Sequence, residues 1–262
     1  MWFLIVFAII FLLYLFLVFP SLRRHSYRKK FEGKFFAHRG LHNEEYPENS
    51  IPAFANAVAN GYGIELDIHL TRDNELVVFH DSTLERMCGV DEPIEEKTLE
   101  EIREYNLLNT NDKIPTFKEV LSLIDGKVPL IVELKSMDYN CDALCLKADE
   151  CLKEYKGLYC IESFNPMAVA WYKKNRKDIF RGQLAMNTKG KPFVSKVSSA
   201  FLLNFLTRPD FVAFDESFSN SISFKIQKVL GAFSVGWTIN SLKNLEDKKK
   251  YFKTYIFENF KP

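Results

Sequence analysis

The sequence predicts an α/β protein: a TIM-like (β/α)8 barrel preceded by a single N-terminal transmembrane helix. Three observations predict it. Met1 to Phe19 contains no charged residue and no glycine. Beyond residue 33, short apolar runs alternate with helix-like stretches, giving eight β-then-α units in about 230 residues, as a (β/α)8 barrel requires. No G-x-G-x-x-G string follows the first strand, which argues against a doubly wound dinucleotide-binding sheet. A chain of 262 residues that is 47% apolar can bury a full core, which excludes extensive disorder and a small disulfide-stapled fold.

Residues 1–20 read as the transmembrane helix. At about 1.5 Å per residue the apolar run is about 28 Å long, close to the hydrocarbon thickness of a bilayer. It lacks the basic n-region and small-x-small cleavage pattern of a signal peptide. Residues 21–33 read as a basic juxtamembrane linker carrying Arg23, Arg24, Arg28, Lys29 and Lys30. The positive-inside rule then predicts a single-pass protein of the cell membrane with its domain, residues 34–262, in the cytoplasm, and the basic cluster suits anionic headgroups. The net charge of +1 conceals this asymmetry, because residues 1–30 hold no acid and the remaining 232 carry 30 basic and 34 acidic groups. A domain of net −4 is not a nucleic-acid binder. The five cysteines form no C-x-x-C pair and read as small core hydrophobes in a reducing compartment.

The expected strands are Phe35–His38, Ile64–Leu70 with an appended Leu76–Phe79, Leu130–Lys135, Tyr159–Glu162, Phe180–Leu184, Phe211–Phe214, Phe233–Trp237 and Tyr255–Glu258. Helices are expected over Ser50–Asn60, with Ser50 as N-cap and Gly61 as terminator, and over Cys141–Glu154, Pro166–Asn175 and Leu242–Phe252.

In such a barrel, chemistry gathers where strands end. The second strand alternates strictly, so Glu65, Asp67 and His69 share one face while Ile64, Leu66, Ile68 and Leu70 pack against helices on the other. Carboxylates on one strand face need a cation when buried. Glu133 and Lys135 add a third acid and a cation on a nearby strand. Two readings stay open on the residues alone: a Mg²⁺ or Ca²⁺ site built from Glu65, Asp67 and Glu133, or an internal salt-bridge network among these acids, Lys135 and Arg39. His38 and His80, each at a strand end, suit paired general acid–base work. His25 and His42 read as surface residues.

The string from His38 to Leu84, H-R-G-x(7)-E-N-S-x-x-A-F through E-L-D-I-H-L-T-R-D-x-x-L-V-V-F-H-D-x-x-L, resembles the glycerophosphodiester phosphodiesterase family. The likeness continues in Ile114-Pro115-Thr116-Phe117, Glu133-Leu134-Lys135, Ser163-Phe164 and Trp237-Thr238-Ile239-Asn240, and so covers residues 34–262. The resemblance implies metal-dependent hydrolysis of glycerophosphodiesters to an alcohol and sn-glycerol 3-phosphate. It implies His38 and His80 as the acid–base pair, Glu65, Asp67 and Glu133 as ligands of a divalent cation, and Arg39 and Lys135 as phosphate contacts. Glu48 and Asn49 would shape the loop over the site, and Phe164 and Trp237 would wall the pocket. The sequence departs from the family where the last strand ends in Phe257-Glu258-Asn259 instead of a threonine–aspartate pair, and in His69, a further polar residue on the metal-site face. Two substrates fit this chemistry, a water-soluble glycerophosphodiester or a membrane lysophospholipid cleaved by lysophospholipase D action. A reading of another class is a non-catalytic membrane-anchored binding protein, whose signature would be a missing histidine or carboxylate. None is missing. The oligomeric state is not legible in the sequence.

Overall fold

The computed structural model describes residues 1–23, 25–136 and 141–262. In chain order its elements are α1 (Trp2–Val18), α2 (Arg28–Phe31), β1 (Phe35–His38), α3 (Ile51–Ala59), β2 (Gly63–Leu70), β3 (Leu76–Val78), α4 (Glu85–Cys88), a 3-10 turn Ile94–Glu96, α5 (Leu99–Ile102), α6 (Phe117–Ile124), β4 (Leu130–Leu134), α7 (Asp142–Glu154), β5 (Tyr159–Ser163), α8 (Pro166–Asn175), β6 (Arg181–Ala185), α9 (Phe193–Ser199), α10 (Asn204–Thr207), β7 (Phe211–Asp215), a 3-10 turn Glu216–Phe218, α11 (Ile222–Val229), β8 (Phe233–Ile239), α12 (Leu242–Lys248) and β9 (Thr254–Phe257). The expected strands are all present, with ends shifted by one or two residues. Ser50 caps α3 as expected, its hydroxyl accepting from the Ala53 amide, and α12 stops four residues before the expected Phe252.

The sheet runs β1-β9-β8-β7-β6-β5-β4-β2 and closes through a β1–β2 pairing. These eight strands are parallel, and β3 is appended antiparallel to the far end of β2. Period-two alternation sorts the side chains. Phe36, Ile131, Cys160, Leu184, Ala213, Val235 and Ile256 fill the barrel interior, while Ala37, Ile64, Leu66, Val132, Ile161, Val212 and Phe257 pack outward beneath the helices. Gly182 is a size requirement: a Cβ there would lie 2.1 Å from the Phe211 ring, which occupies the interior in its place. Phe31 closes the barrel's N-terminal end, stacked on Phe36 with ring centroids 5.5 Å apart. All five cysteines are free.

The structure corrects the expected membrane anchor. Helix α1 has 17 residues, about 25 Å at 1.5 Å per residue, and no helix among the described residues is long and apolar enough to cross a membrane. The apolar run is longer than the helix because its last residues are held by the barrel. Val18 is buried, its carbonyl accepting from Asn204 Nδ2 at 2.8 Å and Gln227 Nε2 at 2.9 Å. Arg208 donates to the carbonyls of Phe16 and Phe19, where the chain turns extended. The single-pass and cytoplasmic placement, which rested on that span, falls with it.

The basic segment also differs from expectation. Arg24 lies outside the described residues. Arg23 forms a two-point ion pair with the fully buried Asp210, at 2.9 and 2.6 Å, and Arg28 donates to the Asp210 carbonyl. Residues 21–23 and 25–31 therefore lie as a plug under the barrel. His25, expected at the surface, packs on Phe180 and contacts the Asp178 carbonyl at 2.7 Å, and burial lowers its pKa. Arg23→Ala is expected to cost about 1–2 kcal/mol, below the usual loss for a broken buried pair, because Arg181 still stands 3.4 Å from Asp210. Urea denaturation of variant and wild type measures the difference; an unchanged midpoint would show that the plug adds nothing to stability.

Candidate active site

The barrel closure places β8, β9, β1, β2, β4 and β5 side by side, and inward-facing residues at their C-terminal ends form one continuous arc. Glu65 neighbours His38 across β1–β2, and Asp67 neighbours Glu133 across β2–β4. The expected cluster is present: Glu65, Asp67 and Glu133 are buried and each offers an oxygen within 4.8 Å of the others.

The charges around it are uneven. Lys135 Nζ lies 3.0 Å from Asp67 and 2.9 Å from Glu133. Burial works to raise the pKa of Asp67, but Lys135, His80, Arg39 and a hydrogen bond from Asn49 hold it well below the usual carboxylate range. Burial drives Glu133 up to about 7 against the pull of Lys135, and burial together with Asp67 and Glu133 raises Glu65 well above its ordinary value. One lysine thus pairs with part of the cluster, as the salt-bridge reading expected, and the three buried hard-oxygen donors are also a set that could hold a divalent cation.

Arg39 sits in the left-handed region, φ 56°, followed by Gly40 at 84°. This bend turns its backbone amide onto Glu65 at 3.1 Å and its guanidinium onto Glu48 at 2.7 Å, with Nε 3.7 Å from Asp67. Asn49, also left-handed, donates through Nδ2 to Asp67 at 2.9 Å. Glu48 and Asn49 therefore reach into the site beyond shaping its loop.

His80 stands beyond β3 with Nδ1 2.6 Å from Asp81 Oδ1. Arg86 donates to Asp81 at 2.6 Å and to both oxygens of Glu48 at 2.6 and 2.9 Å. A chain of charged contacts, Arg39–Glu48–Arg86–Asp81–His80, thus links the expected phosphate contact to the second histidine. Burial lowers the His80 pKa against the attraction of Asp67. On the other side His38 Nδ1 lies 2.7 Å from Glu258 and Nε2 lies 3.9 Å from Glu65. Phe164 and Trp237 meet edge to face, centroids 5.7 Å apart, and form an apolar wall.

Some residues fall elsewhere than expected. His69 is buried, with Nδ1 3.1 Å from Glu95 and Nε2 3.4 Å from the His80 carbonyl; it braces the His80 loop. His42 is half-buried, and burial lowers its pKa against the charges of Glu48 and Glu258. Glu162, paired in register with Glu133, is a fourth buried acid that sequence reasoning missed. Its inward position followed from the alternation with Cys160. Arg86 left no signal in the sequence. A separate cleft lined by Leu121, Lys147, Glu150 and Tyr155 contains none of these residues.

Fold and site together place the chain among (β/α)8 barrels with a carboxylate–histidine centre at the strand ends. The model of the glycerophosphoryl diester phosphodiesterase family matches residues 38–241, and the chain belongs to that family. It is 36% identical over 148 residues to a glycerophosphodiester phosphodiesterase of Caldanaerobacter subterraneus, covering 53% of this chain and 60% of the relative. It is 30% identical over 156 residues to a lysophospholipase D of Rattus norvegicus, covering 55% and 48%. The matched stretches span only about half to three-fifths of these curated relatives. Its fold is similar to that of an Oleispira antarctica phosphodiesterase solved with the product sn-glycerol-3-phosphate, with a TM-score of 0.74, 23% identity and coverage of 88% of this chain and 94% of that one.

Proposed function

We propose that the protein hydrolyses glycerophosphodiesters to an alcohol and sn-glycerol 3-phosphate, using His38 and His80 as its acid–base pair and a divalent cation, Mg²⁺ or Ca²⁺, held by Glu65, Asp67 and Glu133. The observation that carries this reading is the placement of two histidines, each with Nδ1 on a carboxylate, beside a buried three-carboxylate cluster. A bound cation would supply Lewis-acid stabilisation of charge on the phosphoryl oxygens.

The chain's own residues do the rest. Arg39 and Lys135 offset the phosphodiester's negative charge in a site largely closed to water, where such charges act strongly. One histidine takes the proton of the glycerol hydroxyl next to the phosphate as its oxygen attacks phosphorus. The other protonates the departing alkoxide as its P–O bond breaks, leaving a cyclic phosphate. Water then opens the ring with the two proton transfers reversed. Phe164 and Trp237 wall the glycerol and alcohol groups.

A lysophospholipid substrate is the second reading, supported by the likeness to the rat lysophospholipase D. The structure favours the water-soluble substrate. The apolar α1 joins the barrel at the N-terminal ends of the strands, through Ser21 to Pro209 and Arg23 to Asp210, opposite the catalytic rim. The full chain, assayed with glycerophosphocholine and with lysophosphatidylcholine, is expected to release sn-glycerol 3-phosphate from the former only, and only without chelator. Release of a lysophosphatidic acid from the latter would establish the second reading. Turnover of neither, with metal present, would sink both and favour a binding protein.

A further inference from the structure

We infer that Glu258 is a positioning residue that holds His38 in the tautomer and orientation needed for proton transfer. The inference rests on the reading of His38 as one of the acid–base pair.

The topology brings the two side chains together. β9 lies beside β1 with Ala37 opposite Phe257, so the next pair along is His38 and Glu258. Ile256 faces the barrel interior and Phe257 the outer layer, and the alternation directs Glu258 inward. Its amide donates to the Ile239 carbonyl at 3.0 Å, and Asn259 then adopts φ 65°, so the chain turns away directly after the carboxylate.

The contact assigns the proton. His38 Nδ1 lies 2.7 Å from Glu258 Oε2. Two lone pairs cannot face each other at that distance, and a carboxylate is ionised at neutral pH and only accepts. In the neutral ring Nδ1 therefore carries the hydrogen and Nε2 is left with its lone pair. That nitrogen faces the carboxylate cluster, 3.9 Å from Glu65. With Glu258 removed, nothing at Nδ1 favours the Nδ1–H tautomer, and a ring protonated on Nε2 instead could not accept a proton there. Asp81 makes the equivalent contact to His80 from the next position in the chain. The site thus contains two histidine–carboxylate pairs, one local in sequence and one formed across the pairing of the first and last strands, β1 and β9.

The test uses the full chain labelled with ¹⁵N-histidine, at a pH where the ring is neutral, and compares wild type with Glu258→Ala and Glu258→Asp. Wild-type His38 should show a protonated Nδ1 and an unprotonated Nε2, and Glu258→Ala should shift the population toward Nε2–H. With metal present, kcat for glycerophosphocholine should fall about 10- to 100-fold in Glu258→Ala, as for other residues that orient a site group, with KM changed less than about twofold. Glu258→Asp should recover part of the loss. An Nε2–H tautomer in wild type, or an unchanged tautomer or unchanged kcat in Glu258→Ala, would overturn the inference. Should Glu258→Ala fail to fold, the wild-type spectrum alone decides. An inactive wild type with His38 protonated on Nδ1 would defeat the proposed activity yet leave the pairing intact.

Discussion

His38→Ala and His80→Ala are each expected to lower kcat on glycerophosphocholine by about 10³-fold, within the range that a positioned acid or base supplies. The two histidines flank the carboxylate cluster, one at the end of β1 and one beyond β3, and each has Nδ1 on an acid. Each ring therefore keeps Nε2 clear of its partner acid, in the proposed reaction one to take a proton and the other to give one. Neither side chain belongs to the apolar clusters of the core, so circular dichroism and melting temperature should stay near wild type. KM should change only a few-fold, because Arg39 and Lys135, the proposed phosphate contacts, remain. Near-normal turnover in either variant would exclude paired-histidine catalysis.

The second large effect is expected at the carboxylate cluster proposed to hold the cation. Asp67→Asn should abolish measurable turnover and weaken divalent-cation binding by at least about 10²-fold, by titration calorimetry. Asp67 is the acid on which the site converges, approached by Lys135 Nζ, Arg39 Nε and Asn49 Nδ2. Cation binding unchanged in Asp67→Asn would remove it from the ligand set.

The same cluster predicts a pH signature in the metal-free protein. Burial pushes Glu133 up to about 7 from an ordinary 4.5 and raises Glu65 as well. An acid whose folded pKa lies above its unfolded one takes up a proton on folding. Its favourable contribution is complete below about pH 4.5 and is lost as the pH rises toward 7. Asp67, Glu48, Asp81 and Glu258 are held low, so their contributions are lost only in stronger acid, outside this window. Burial lowers the pKa of His25, His42 and His80, which gain stability over the same range, so the effect is read as a difference: in chelator, the melting temperature should fall by roughly 5 °C more between pH 5 and 7.5 in wild type than in Glu133→Gln. A divalent cation should restore more of it at pH 7.5 than at pH 5, because it binds the ionised carboxylates. An equal profile in wild type and Glu133→Gln would mean that the cluster carries no such strain.

Much of this site was legible in the sequence because the cues are local. Alternation along Ile64–Leu70 separated Glu65 and Asp67 from the core residues between them, and the same parity placed Glu133 and Lys135 together. The histidines were visible because each ends an apolar run. Glu162 obeyed the same rule as Glu133 and was missed only because its strand carries no second charge to draw attention to it. The apolar run at the N-terminus misled for the converse reason. Hydropathy counts residues from Met1 to Phe19, whereas the helix ends at Val18, where Asn204, Gln227 and Arg208 capture its carbonyls.

The sequence by itself determined the barrel, the inward face of each strand and the set of acids and histidines at the strand ends, because period-two alternation and helix capping act within a few residues. Only the tertiary structure decided which groups pair. Glu258 reaches His38 across 220 positions of chain, Arg23 reaches Asp210 across 187 and Arg86 reaches Glu48 across 38. Those partners exist only once the sheet has closed on itself. Closure decides which carboxylate His38 meets, and it turns Arg23 and Arg28, read in sequence as facing lipid, toward Asp210 beneath the barrel.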